Sequence, residues 1–318
     1  MAVNSDRPDR WKSDIARSVD FYNDWFMRFA PKAYRDTRAE TTTRVRQALT
    51  SMANLTDISA GTLRQVPWVL PILRMATSPP IARDRLVGLA RVSGGLVRNM
   101  ELRQRLSAHM SEDAASADLE RIAGLIRRLI DTDLFPWLEA GRQPSEEEVH
   151  RAATVVADRL CGAEADPIIR NAQESRQLSA IQAWLEVRGY RKASQGTAFD
   201  AMEPGTFAFR LIVPVRLEGS GRQVNIPVDA VVMPLVLEPS GLPLLIEAKS
   251  AGDYSNPTEG RKEEAAKVAQ LRATYGERVR FILFLCGYFD SGYLGYEAAE
   301  GIDWVWEHRI DDLAEFGV

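Results

Sequence analysis

The chain has 318 residues, 45% hydrophobic and 26% charged, an ordinary soluble composition with room for one elaborated domain or two. No apolar run approaches the roughly 20 residues of a membrane helix, MAVNSDRPDRWK lacks the apolar stretch of a secretory signal, and Cys161 and Cys286 stand far apart without nearby histidines. A membrane span, a disulfide framework and a zinc cluster are therefore not expected, and a cytoplasmic protein is. The net charge of -4 conceals an asymmetry: residues 28–105 hold 14 Lys+Arg against 5 Asp+Glu, while residues 136–318 hold 19 against 28.

In chain order, SDIARSVDFYNDWFMRFA spaces Ile15, Val19, Tyr22, Phe26 and Phe29 at three and four, the stripe of a helix on a core, and Pro31 is expected to break it. TDIS reads as a helix cap, and Pro67, Pro71, Pro79 and Pro80 punctuate short helices. ADLERIAGLIRRLIDTDLFPWL places Leu119, Ile122, Leu125, Ile126 and Leu129 on one face. These patterns predict an all-helical region over residues 1–143, with GRQPSEEE as linker and helix start.

Residues 146–191 read as helix, with Ile181, Trp184, Leu185 and Val187 apolar and Glu174 in the polar cluster RNAQESRQ. After Gly196 the period changes. TFAFRLIVPVRL, RQVNIPVDAVVMPLVL and LPLLIEAK are strand-like runs parted by turn formers. A helix over NPTEGRKEEAAKVAQLRATYG, a buried strand RVRFILFLCGYF, a helix over YLGYEAAEG and a short strand at Trp304 to Trp306 complete the chain. Residues 144–318 are thus expected to form an α/β (α+β) domain around a mixed sheet.

LLIEAK carries the chemistry. Side chains alternate along a strand, so Glu247 and Lys249 share a face opposite Ala248. Asp229 lies eighteen positions earlier, in the middle of another apolar strand, a spacing that suits a hairpin. Two carboxylates and an ammonium at a sheet edge cost several kcal/mol apiece unless paired or bound to an ion. Mg²⁺, which favours carboxylate oxygens and substrate phosphate, meets that need. Asp229, Glu247 and the Ala248 carbonyl are the expected metal ligands, and Lys249 the group that orients a water and stabilises a pentavalent phosphate. The competing reading is a structural Glu247–Lys249 pair on a half-exposed strand.

Asp229 followed by Glu247-Ala248-Lys249, in helix, three strands, helix, strand order, resembles the PD-(D/E)XK nuclease superfamily, with Pro227 displaced by one position. FYNDWFMRFAPKAYRDTR, LRMATSPPIARDRLVGLARVS and EAKSAGDYSNPTEGRKEEAAK together resemble the XamI-type family of type II restriction endonucleases. The resemblance implies a prokaryotic, Mg²⁺-dependent homodimer that cuts both strands of double-stranded DNA at a short palindrome. It also implies a further acid on the helix before the sheet, for which Glu174 is the candidate. Ser250, Asn256, Thr258, Arg261 and Lys262, following the metal motif, are the candidate DNA contacts. A repair nuclease with the same core, or a DNA-binding protein that has lost catalysis, are the alternatives at this point.

Overall fold

The computed structural model describes residues 2–106, 110–216, 222–236, 241–254 and 257–318, with residues 257–262 described as backbone alone. The chain divides into two compact units, residues 30–168 and residues 1–29 with 169–318.

Residues 30–168 are helical, apart from an isolated bridge between Thr77 and Ile130. Helix α1 spans Pro8–Ser51, followed by α2 (Ala60–Gln65), α3 (Leu70–Met75), α4 (Arg83–Ala90), α5 (Gly94–Arg103), α6 (Glu112–Leu129), α7 (Pro136–Ala140) and α8 (Glu146–Val187). The capping residue forecast in TDIS is Ser59, whose Oγ accepts from the Thr62 N–H. The α6 stripe buries Leu119, Ile122, Leu125 and Ile126 against Val45, Leu49, Leu63, Leu70 and Val156, each worth about 1.5–3 kcal/mol when fully removed from water. Part of the basic excess of residues 28–105 is answered from outside that window, by Arg38–Asp158, Arg44–Glu164 and Arg64–Glu112 pairs. Within it, Glu101 bridges Arg74 and Arg83.

The other unit is built on a six-stranded mixed sheet of β1 (Arg191–Lys192), β2 (Thr206–Arg216), β3 (Gln223–Met233), β4 (Leu244–Ala251), β5 (Arg280–Gly287) and β6 (Asp303–Trp306), in spatial order 1-2-3-4-5-6. Strands β2, β3 and β4 are antiparallel neighbours, while β4, β5 and β6 are parallel, joined through α9 (Pro257–Tyr275) and α10 (Ser291–Ala299). One face packs Val213, Leu245, Leu283, Trp304 and Trp306 with Val268 and Leu271 of α9. The other packs Phe207, Val232, Ile246 and Phe284 with Ile181, Trp184 and Leu185 of α8. A sheet covered on both faces explains why β4 and β5 read as near-continuous apolar runs.

One expectation is corrected here. Pro31 does not end its helix: α1 runs through it, the loss of one hydrogen bond and the ring clash, about 3 kcal/mol, being offset by burial of residues on either side of the proline. The two compact units divide the chain at 29/30 and 168/169, inside α1 and α8, whereas the sequence suggested a linker at 143/144. The N-terminal segment belongs to the sheet unit because the backbone N–H groups of Asn4 and Ser5 bond the Asp303 carboxylate and Trp11 meets Trp304 edge-on at 5.6 Å. Such pairings span some 300 residues and leave no local pattern. The two-residue strand β1, parallel to β2, was also not foreseen.

Candidate active site

The β3–β4 ladder pairs Val232 with Leu244, Val231 with Leu245 and Ala230 with Ile246, and stops there. One step beyond, the Asp229 side chain replaces the backbone: the Ala248 N–H donates to Asp229 Oδ2 at 2.9 Å. The hairpin therefore brings Asp229 to the E-A-K segment, as the spacing required.

The alternation of both β2 and β3 inverts at this point. On β3, Val228 and Val231, three apart, face the same core, and on β2 so do Ala208 and Leu211. Between them Arg210 has a left-handed backbone, φ +52°, and drops out of a register that Phe209↔Ala230 and Leu211↔Val228 otherwise keep. A non-glycine residue in this region costs about 1–2 kcal/mol. Local breaks of this kind re-aim side chains beside active sites. Arg210 sits opposite Asp229 and donates from Nη2 and Nε to Glu174 Oε1 of α8, at 2.7 and 3.1 Å. An ion pair this exposed contributes about 0.2–1 kcal/mol, less than the backbone strain.

Glu247 and Lys249 lie on one face of β4, and Ala248 packs into the core on the other. Both charged groups meet α9. Lys267 Nζ lies 2.7 Å from Glu247 Oε1 and 3.4 Å from the Pro227 carbonyl. Lys249 Nζ pairs with Glu264 Oε1, whose side chain is 3% exposed. Among the described residues, Glu247 Oε2 and Glu264 Oε2 are buried without a hydrogen-bond partner. Beneath them Gln177 of α8 donates to the carbonyls of Lys249 and Phe284, tying the helix to the ends of β4 and β5.

Burial dominates the electrostatics. It raises the Asp229 pKa, against the Ala248 N–H, and the nearby Glu174 charge raises it further. It raises Glu247 as well, opposed by Lys267 and reinforced by Asp229. It lowers Lys249, opposed by Glu247 and helped by Lys267. Among the described residues the acids Glu174, Asp229, Glu247 and Glu264 thus gather with the bases Arg210, Lys249 and Lys267.

Asp229, Glu247, Ala248 and Lys249 are brought together, and Glu174 is near enough to act on Asp229. Glu174 pairs with Arg210 rather than with Arg170 or Arg176; the latter bonds Glu307 and the Cys286 thiol. Ser250 is exposed at the end of β4. Asn256 lies outside the described residues, as does His109, and the side chains of Thr258, Arg261 and Lys262, in the first turns of α9, are likewise not described. Lys267, Glu264 and Arg210 were not foreseen from the sequence. The signal was there for the first two: Glu264 and Lys267, three apart on a helix, complement in sign the Lys249 and Glu247 two apart on a strand.

A cation fits this set. Among the described residues no three His, Cys, Asp or Glu side chains converge closely enough to hold an ion alone. Two carboxylates with a backbone carbonyl, completed by water and phosphate, are nonetheless the donors Mg²⁺ takes. Glu247 Oε2, buried with no hydrogen-bond partner among the described residues, points to one.

The family model described as "XamI restriction endonuclease" matches residues 53–306. The chain belongs to the XamI restriction endonuclease family. It is 51% identical over 317 residues, 99% of each chain, to the type II restriction enzyme SalI of Streptomyces albus G. It is 27% identical over 125 residues, 38% of this chain and 40% of the other, to the type II restriction enzyme XamI of Xanthomonas campestris pv. amaranthicola. A solved Vibrio cholerae protein, VC1899, covers 80% of this chain and 55% of its own at 16% identity and a TM-score of 0.28, too slight a likeness to bear on the fold. The XamI-family assignment, with 51% identity over nearly the whole chain to a type II restriction enzyme, makes the chain a type II restriction endonuclease. No described helix is long and apolar enough to cross a membrane.

Proposed function

We propose that this restriction endonuclease is an Mg²⁺-dependent homodimer that hydrolyses both strands of DNA at a short palindrome, leaving 5′-phosphate and 3′-hydroxyl ends. The observation that carries the reading is the Asp229–Ala248 contact, which sets a second carboxylate beside the half-buried, incompletely bonded Glu247.

Asp229, Glu247 and the Ala248 carbonyl would hold the ion, and Glu174 stands on the far side of Asp229. When bound, Mg²⁺ neutralises charge on the phosphate and lowers the pKa of a coordinated water. Lys249, whose ammonium is made easier to deprotonate by burial, orients the attacking water and donates to the phosphate oxygens as negative charge builds. Lys267 and Glu264 hold the two β4 side chains in place until substrate arrives. Ser250, Asn256, Thr258, Arg261 and Lys262, which follow the metal motif in sequence, are the proposed contacts to the DNA backbone, and the helical region contributes base recognition, dimerisation or both. Homodimerisation follows from one such site per chain and two strands to cut.

Incubating the purified protein with unmethylated plasmid and Mg²⁺ tests the reading. Discrete fragments whose ends ligate without kinase treatment, no cutting in chelator, and a dimer in sedimentation support it; nicking at scattered positions, or cutting in chelator, contradicts it.

A further inference from the structure

We infer that Arg210 is a DNA-phosphate ligand, exchanging Glu174 for a backbone phosphate next to the bond being cut; this rests on the nuclease reading above. Three observations converge on it. First, Arg210 is a non-glycine residue held at φ +52° inside an eleven-residue strand, where neither neighbour leaves register. Second, its ion pair with Glu174 is too exposed to account for that strain, its own side chain being 64% accessible. Third, the β2–β3 register sets Arg210 opposite Asp229, a carboxylate proposed to hold the metal.

The surroundings suit the same ligand. Arg210 lines a cleft of about 1210 Å³ whose walls carry Lys192, Gln195, Gln223 and Asn225, all exposed donors. The cleft runs along β2, with Arg210 in its wall. A planar guanidinium matches two phosphate oxygens as it matches a carboxylate. In the DNA-free enzyme Glu174 occupies that fork. Bound DNA supplies the phosphate instead, and Glu174 is released toward Asp229 and the ion. Strain held at a single residue of a sheet is what keeps the fork aimed at this exchange.

The test maps the cut site with wild-type enzyme on unmethylated plasmid, then measures binding of short duplexes carrying that site in Ca²⁺. Arg210→Ala and Arg210→Gly should each bind about 10- to 100-fold more weakly, the effect of losing one charge-assisted hydrogen bond. The slope of log affinity against log salt should fall by about one. A neutral methylphosphonate at the contacted position should weaken wild type but not Arg210→Ala, and Arg210→Lys should recover part of the loss. Arg210→Gly relieves the left-handed backbone, so it should melt no lower than wild type while cutting poorly. Wild-type affinity and salt slope in Arg210→Ala and Arg210→Gly would overturn the inference. A wild-type protein that neither binds nor cuts would remove the nuclease reading, and this inference with it.

Discussion

Lys267 Nζ lies 2.7 Å from Glu247 Oε1, so the carboxylate proposed to hold the metal is already paired with a cation from α9. The pair is mostly buried, with side chains 13% and 17% exposed, and leaves Glu247 Oε2 without a hydrogen-bond partner among the described residues. A bound divalent ion and Lys267 would therefore compete for the same carboxylate.

Lys267→Ala separates the two roles. Removing one member of a buried pair strands the other, so the metal-free variant should lose about 3 kcal/mol of stability. Ca²⁺ should restore more stability to the variant than it adds to wild type, because nothing now competes for Glu247. Thermal melts with and without Ca²⁺ measure both effects, and equal Ca²⁺ shifts in the two proteins would show that Lys267 does not oppose metal binding.

Asp229 gives a pH-dependent prediction. Burial, with Glu174, raises its pKa in the folded protein. A raised acid contributes stability below its unfolded pKa that is lost as pH climbs through the folded value. Asp229→Asn removes that loss while its amide oxygen still accepts from Ala248. In chelator at neutral pH the variant should be more stable than wild type by about 1 kcal/mol, and the difference should vanish toward about pH 4, where unfolded carboxylates titrate. A variant less stable than wild type at neutral pH would mean that Asp229 is held by contacts that favour its charge.

Glu174 reaches the site only through Asp229 and Arg210, so its substitution should act on metal use. Glu174→Gln keeps the size and one acceptor but not the charge. Cleavage by this variant should need about 10- to 100-fold more Mg²⁺ than wild type, the usual effect of losing an outer support of a metal site. Rates titrated against Mg²⁺ measure it. An unchanged Mg²⁺ dependence would leave Glu174 as an ion-pair partner of Arg210 and nothing more.

What could be read from the sequence follows the range of the forces involved. The strands β2 to β5 were legible because period-two and apolar runs are local, and Glu247 and Lys249 were legible as charges on one face of such a run. Asp229 stood out as an acid amid Val228, Ala230 and Val231. The parity break at Arg210 was not legible, since no glycine marks the positive φ, and its cause lies in the site it faces. Lys267 and Glu264 looked like ordinary helix charges until α9 was seen against β4. The docking of residues 3–15 on β6, through Asp303 and Trp304, depends on contacts that no pattern within either segment records. Pro31 and Pro167 both lie inside unbroken helices, against a strong local signal.

The central claim is that the hairpin side chains form a metal-dependent phosphodiesterase site without being needed to grip DNA. Asp229→Ala and Lys249→Ala test it, each measured for cleavage of unmethylated plasmid in Mg²⁺ and for metal-independent binding of the mapped site. The account predicts a loss of at least about a thousandfold in cleavage, the scale of removing one electrostatic group from a catalytic centre, with binding within a few-fold of wild type. Wild-type cutting by either variant would contradict it.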